Sequence, residues 1–388
     1  MLKILIVCSA IDLKYRLGCT PSWWQLIKAL HENGDEPVVI PCLGDSIESP
    51  WWRTYPNPCN YGSKILNLFL DVKKKTIGLS SKSGKTTSIT NILGGKLARD
   101  RWKERIIEII NKEKDVSAVL YMNAPLNFIQ GIPEMVESEY GISQLYFDGD
   151  MPTILPSYCQ DRGFKFNYYL DADLSVFDAF FTNSKGVIPD LEKMGAKNIE
   201  PLYYAIDPSL FRPVDKEKTI DVSFFGYGSE MREEWMTNMI AEPSKHMRAN
   251  FSVGGGGFRV DLGQAREVGD LSYSAFRDFC CSSNICLNIT RRSHVSVYAS
   301  STARPFELAG YGACVVSQPY NGINEWFTPG KEIMMINSAQ EAKETYESLL
   351  DDPDYAHTMG QNMRARALKD HTYVSRAQQI HRAVKATA

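Results

Sequence analysis

Short apolar runs alternate with segments of helical periodicity along this chain, the series breaks once and then resumes, and few folds accommodate such a pattern. Residues 2–7 read as a buried strand, and residues 22–33 place apolar side chains at helical spacing up to Gly34. Residues 38–41 form the next strand. A charged helix over 95–113 leads into the apolar run 116–122, and runs at 144–147, 179–183 and 200–204 continue the pattern. Pro208 and Pro213, followed by Asp215-Lys216-Glu217-Lys218, then interrupt it. The series restarts with a strand at 220–225, a tight turn at Gly226-Tyr227-Gly228 and a helix carrying Arg232. Further strands fall at 249–253, 285–289 and 313–316, and a last helix covers 373–386. Strand–helix alternation builds parallel sheets covered by helices on both faces, so the expected class is doubly wound α/β.

A chain of 388 residues, 44% hydrophobic and 23% charged, is long enough for two such globular units. The expected division is a first domain over 1–205, a second over 214–372 and a terminal helix over 373–388. A net charge of −3 argues against a polyanion-binding surface spread over the whole molecule. The apolar run near the start, Ile4 to Cys8, suits a buried strand better than a secretory signal or a membrane span. No later segment approaches a spanning length, so a cytoplasmic protein without a transmembrane segment is expected. Nine cysteines are scattered without a Cys-x-x-Cys pair, which predicts reduced thiols and neither disulfides nor structural zinc.

The chemistry concentrates in Arg304-Pro305-Phe306-Glu307, the start of a helix that ends in a turn at Gly312 and leads into an apolar strand. A helix N-terminus offers free N–H groups and partial positive charge, which suits phosphate. Arg304 adds a forked cation, and Glu307 lies one turn on, where a carboxylate can accept from sugar hydroxyls. Taken singly, the pair is equally an ordinary surface ion pair. Phe327-Thr328-Pro329-Gly330-Lys331 and Asp370-His371-Thr372-Tyr373 follow. Ser283 to Arg291 and Val222-Ser223-Phe224-Phe225-Gly226 precede.

In that order and spacing, these segments resemble the C-terminal half of glycosyltransferases of the spore-maturation (CgeB-like) group, over roughly residues 180–382. The first 140 residues match only in type. The resemblance implies a GT-B fold, in which two Rossmann-like domains face a cleft. The N-terminal domain would bind an acceptor, and the C-terminal domain a UDP- or GDP-linked sugar. The last helix would cross back to the first domain. It implies no cofactor beyond that co-substrate and no metal. The acceptor would be a carbohydrate, protein or other hydroxyl compound. Retaining members of the large related families carry two glutamates eight positions apart. Glu307 matches the second, but the first position is Ala299 here, so the retaining stereochemistry is not implied.

Asp148-Gly149-Asp150 follows the strand 144–147, where α/β sheets bind ligands, and a carboxylate there can take the acceptor proton during glycosyl transfer. Asp148 and Asp150 are candidate bases, and Asp12, after the first strand, is a third. The plain alternative is an Asp/Gly turn. Leaving-group charge calls for cations, and Arg304, Arg232 and Arg291, in that order of preference, fall near strand ends. Gly226 and Asn288 complete the candidate donor set. The glycine run 254–257 reads as a loop after a strand, open to close ligand approach. Among the histidines, His294 is the one suited to chemistry, while His371 reads as packing. Trp23-Trp24 and Trp51-Trp52 are sugar-stacking candidates or core.

Gly84-Lys85-Thr86 is not a Walker A loop: five residues separate Gly78 from Gly84 where the motif has four, and no apolar strand leads in. Residues 71–95 read instead as a basic polar loop. Two other activities suit the same architecture. A sugar-nucleotide epimerase would isomerise its donor without an acceptor. A DNA-base glycosyltransferase would need a basic groove, which the net charge does not favour.

Overall fold

The computed structural model describes residues 1–11, 22–59, 86–155, 158, 169, 172–228 and 232–387, with backbone alone for 86–98 and 127. Asp12 and the basic segment 71–85 therefore lie outside the described residues. Among the described residues, thirteen strands form two parallel sheets, one in each half.

The first sheet contains β1 (Lys3–Ala10), β2 (Glu36–Leu43), β3 (Arg53–Thr54), β4 (Val116–Met122), β5 (Ser143–Asp148), β6 (Ala179–Thr182) and β7 (Ile199–Pro201), in the order β3-β2-β1-β4-β5-β6-β7. Strand β1 pairs with β2 on one side (Leu5 with Val38) and with β4 on the other (Leu5 with Val119). Helices cover both faces, so Ile4 to Val7 are buried completely, which explains why this strand reads as an unbroken apolar run. The helix Ser22–Glu32 turns Leu26, Ile27 and Leu30 inward and ends before Gly34, whose φ of +89° suits a residue without a side chain. The helix Thr86–Glu113 begins well before residue 95, so the end of the expected loop is helical. Strand β7 is shorter than expected and stops at Pro201.

The second sheet repeats the plan. It holds β8 (Ile220–Tyr227), β9 (Phe251–Gly256), β10 (Arg266–Gly269), β11 (Ser283–Asn288), β12 (Cys314–Ser317) and β13 (Met334–Met335), in the order β10-β9-β8-β11-β12-β13. In each sheet the chain winds outward one way and then the other, leaving a crevice between β1 and β4 and between β8 and β11. The glycine run is not a loop, because Gly254 to Gly256 belong to β9 and Gly255 pairs with Gly226 of β8. A side chain at Gly255, where φ is +102°, would place its Cβ 1.8 Å from the Gly226 carbonyl oxygen. The glycines let two strands meet closely, and the turn expected at Gly226-Tyr227 is strand.

Two connections join the halves. The helix Tyr373–Thr387 packs Tyr373, Ala377, Ile380 and Val384 into the same apolar cluster as Ile4, Ile6, Leu26 and Leu30. The loop around Ala299 runs antiparallel to the end of β6. Lys185 N–H donates to Ala299 O (3.1 Å), Gly186 N–H to Tyr298 O (2.8 Å) and Ser301 N–H to Asn183 O (2.8 Å). The Asn183 amide donates in turn to Ser301 O (2.9 Å) and Met151 O (3.0 Å). Ala299 takes a φ of +46° to make this turn and is fully buried, so a glutamate would not fit where the related families carry one. Trp24 stands edge-on to both Trp51 and Trp52, which places these indoles in packing. Among the described residues no helix is long and apolar enough to cross a membrane.

Candidate active site

On the first sheet, the carboxyl ends of β4 and β5 carry the acids. Asp148 ends β5 and is wholly buried, with Tyr169 Oη donating to Oδ2 (2.5 Å) and the Asp150 N–H to Oδ1 (2.8 Å). Burial, and then the neighbouring Asp150 charge, push its carboxyl up to about 7, the hydrogen bonds working against both. Gly149 bends the chain so that Asp150 opens onto the cleft. Asn123, just past β4, donates to Asp150 Oδ2 (3.0 Å) and to Asp148 Oδ1 (3.3 Å), and accepts from Gly149 N–H (3.1 Å). Asp150 is raised by its depth in the cleft and eased down by Arg291 and the Asn123 bond. The two acids thus differ, one buried and one facing the cleft.

On the second sheet, cations gather at the crevice between β8 and β11. Arg232 stands before the short helix Glu233–Met236 instead of within a helix. Its Nε donates to Ile289 O (3.1 Å) and its Nη1 to Tyr227 O (2.8 Å), tying the two strand ends together. Burial, with Arg291 and Arg304 nearby, lowers its guanidinium to about 10. Arg291 follows β11, and among the described residues no hydrogen bond or ion pair engages its side chain. Arg304 lies in the first turn of Ala303–Gly310, a helix whose start no side chain caps. Its guanidinium stacks over Phe276 (4.4 Å to the ring centre) and pairs with Glu307 (2.8 Å).

A continuous cleft with about 1140 Å³ of empty space joins the two sides. Gly226, Arg232, Arg291, His294, Thr302, Ala303 and Arg304 line one wall, and Gly149, Asp150 and Tyr204 the other. A branch of about 700 Å³ runs along Trp23, Leu26, Phe147, Leu202 and Tyr373 toward the first sheet, again past Asp150. Three arginines and an open helix end make one wall attractive to an anion, and among the described lining residues Asp150 is the carboxylate that faces them.

Six residues singled out in the sequence come together here: Asp150, Gly226, Arg232, Arg291, His294 and Arg304. Three do not reach the cleft. Glu307, expected on sugar hydroxyls, is 3% exposed and lies behind Arg304, which takes its charge. Asn288 is buried, donating to Ser317 Oγ (2.9 Å) and accepting from Thr290 Oγ1 (3.2 Å). Asp148 is set back behind Gly149. Asn123 escaped sequence reasoning, although its position after the buried strand 116–122 is the signal that drew attention to Asp148. Among the described residues no cluster of His, Cys, Asp and Glu could hold a metal ion.

Residues 230–382 match the model of a family described as glycosyl transferase-like. Over its whole length the chain is similar to sucrose-phosphate synthase of Thermosynechococcus elongatus, with 13% identity, all of both chains covered and a TM-score of 0.67. It is likewise similar to Anabaena HepE in complex with UDP-glucose, at 12% identity, full coverage of both chains and a TM-score of 0.61. The T4 phage BGT, solved with its UDP-glucose substrate, shares 11% identity over 99% of each chain with a TM-score of 0.53. No protein of curated function matches the chain. The chain has the GT-B fold of glycosyltransferases, and residues 230–382 are similar to a glycosyl transferase-like family.

Proposed function

We propose that this glycosyltransferase moves a sugar from a nucleoside-diphosphate sugar to a hydroxyl acceptor without a metal ion. The observation that carries the proposal is the facing pair of walls: arginines and an open helix end on the second sheet, a lone carboxylate on the first. The C-terminal domain holds the donor, its diphosphate on Arg232, Arg291 and the start of the helix Ala303–Gly310. The N-terminal domain presents the acceptor in the branch beside Asp150. As the acceptor oxygen bonds to the anomeric carbon, Asp150 takes its proton and the sugar–phosphate bond breaks. The departing diphosphate gains charge that the arginines neutralise, a task a metal performs elsewhere. HepE and the T4 phage BGT hold UDP-glucose, which favours a uridine donor. The order of motifs from Val222 to Tyr373 supports membership of the spore-maturation (CgeB-like) group, and the reading has the protein act in the cytoplasm.

Thermal denaturation with UDP, GDP, TDP, CMP, ADP and their sugars tests this reading. One diphosphate family should raise the melting temperature, by about 2.7 kcal/mol of stabilisation at a hundredfold excess over its dissociation constant. Folded protein indifferent to all of them would refute it.

The structure also changes which arginine to mutate first. Arg304→Ala would strand the buried Glu307 carboxylate, mixing a folding defect into the result. The Arg291 side chain carries no such partner, so Arg291→Ala should weaken diphosphate binding by about 1–3 kcal/mol at nearly constant stability. Calorimetric titration showing equal affinity would remove Arg291 from the site.

A further inference from the structure

His294 stands in the cation-rich wall of the cleft, yet it is not equipped to act as a fourth cation. It belongs to the short helix Arg292–Val295, and its side chain is nearly buried against the loop that fastens the two domains. Its Nδ1 lies 3.1 Å from Ser300 Oγ. The Ser300 hydroxyl proton is already committed to Met151 O (3.3 Å), next to Asp150 in the chain. Ser300 Oγ can therefore only accept from the ring, so Nδ1 carries the ring's proton and Nε2 keeps its lone pair. Burial, followed by the Arg291 and Arg232 charges, lowers the imidazole to about 3, which keeps it neutral.

A neutral imidazole with an Nε2 lone pair needs a hydrogen-bond donor. Phosphate oxygens are acceptors and would repel it. Arg232 already gives its Nε and Nη1 to backbone carbonyls, Arg304 pairs with Glu307, and Arg291 makes no hydrogen bond to the ring and is taken up by the diphosphate in the donor-site reading. In a nucleoside-diphosphate sugar the donating groups are the hydroxyls of the ribose and of the sugar to be transferred and the N–H groups of the base, and of these the transferred sugar is the part that must lie toward Asp150, to whose loop Ser300 ties His294. We propose that His294 is a sugar-reading residue: its Nε2 accepts a hydrogen bond from a hydroxyl of the donor sugar. Ser300 fixes the ring's orientation from behind, and through Met151 it ties that orientation to the loop bearing Asp150. Donor sugar and proton acceptor are thereby registered against one another across the domain boundary. The inference rests on the donor-site reading above and adds to it the residue that distinguishes sugar from nucleotide.

The test compares UDP with UDP-glucose. A residue that reads the sugar matters only when the sugar is present. His294→Ala should weaken UDP-glucose binding by about tenfold while changing UDP binding by less than about twofold. His294→Gln, which can present an acceptor oxygen, should recover most of the loss, and UDP binding by each variant shows that the cleft is still formed. Equal losses for UDP and UDP-glucose would assign His294 to the nucleotide and overturn the proposal, as would no loss for either. Wild-type affinity for UDP itself tests the donor-site reading. The ratio of the two losses tests His294.

Discussion

Replacing Asp150 by asparagine lowers the rate of sugar transfer by about 10²–10⁴-fold, the scale of losing a positioned general base. Donor binding survives the change, because Asp150 stands on the wall opposite the arginines and contributes nothing attractive to an anion. Removing its charge beside Arg291 even strengthens the local positive field. The asparagine keeps the shape of the side chain and an acceptor for the Asn123 amide, so stability should hardly move. Single-turnover measurement at saturating donor separates these effects: a slow chemical step with unchanged donor affinity is the expected pattern. The pH profile gives a second check. Depth in the cleft holds Asp150 above the ordinary carboxylate range, so transfer by the wild-type protein should rise with pH through that raised value. The variant should lose this limb. An Asp150→Asn protein that transfers at nearly the wild-type rate would hand the base to another group.

The sheets were legible in the sequence because each strand buried on both faces leaves a continuous apolar signal. The run 116–122 coincides with its strand, 38–41, 144–147 and 220–225 fall within theirs, and 2–7 starts one residue before Lys3–Ala10. Where burial was not the cause, the reading failed. Gly254 to Gly256 looked like a loop because glycine usually breaks strands. Here their missing side chains admit the Gly226 backbone, a contact between segments far apart in sequence. Spacing likewise placed Arg304 and Glu307 one turn apart, and they do meet. Spacing could not tell whether Glu307 faces the cleft or the arginine, because that depends on Phe276 packing beneath the guanidinium. Asn123 and Ser300 were invisible for a related reason. Each matters through partners on other elements, and a place just after a buried strand, as Asn123 has, does not name those partners.

Asp148 offers the largest expected effect on stability, and its sign is opposite to that of most carboxylates in folded proteins. Exposed in the unfolded chain, it loses its proton near the ordinary value of 3.8, whereas in the folded protein it holds the proton up to about 7. Between those values the folded state binds more protons than the unfolded one, so stability falls as pH rises. About three pH units at about 1.4 kcal/mol each correspond to about 4 kcal/mol, fully present below pH 4 and lost above pH 7. Burial lowers the imidazoles of His294 to about 3 and His371 to about 4, so both also contribute in this range and raw stability curves mix several groups. The difference between the wild type and Asp148→Asn cancels them. The amide stays neutral throughout, still accepts from Asp150 N–H and can donate to the Tyr169 hydroxyl. Denaturant unfolding from pH 4 to pH 8 should therefore show the variant gaining about 4 kcal/mol relative to the wild type, nearly all of it between pH 4 and 7. A difference that stays constant over this range would mean that Asp148 ionises in the folded protein as it does in water. The carboxylate behind Gly149 would then carry its charge at every working pH, and the division of the two acids into one buried and neutral, one open and basic, would fail with it.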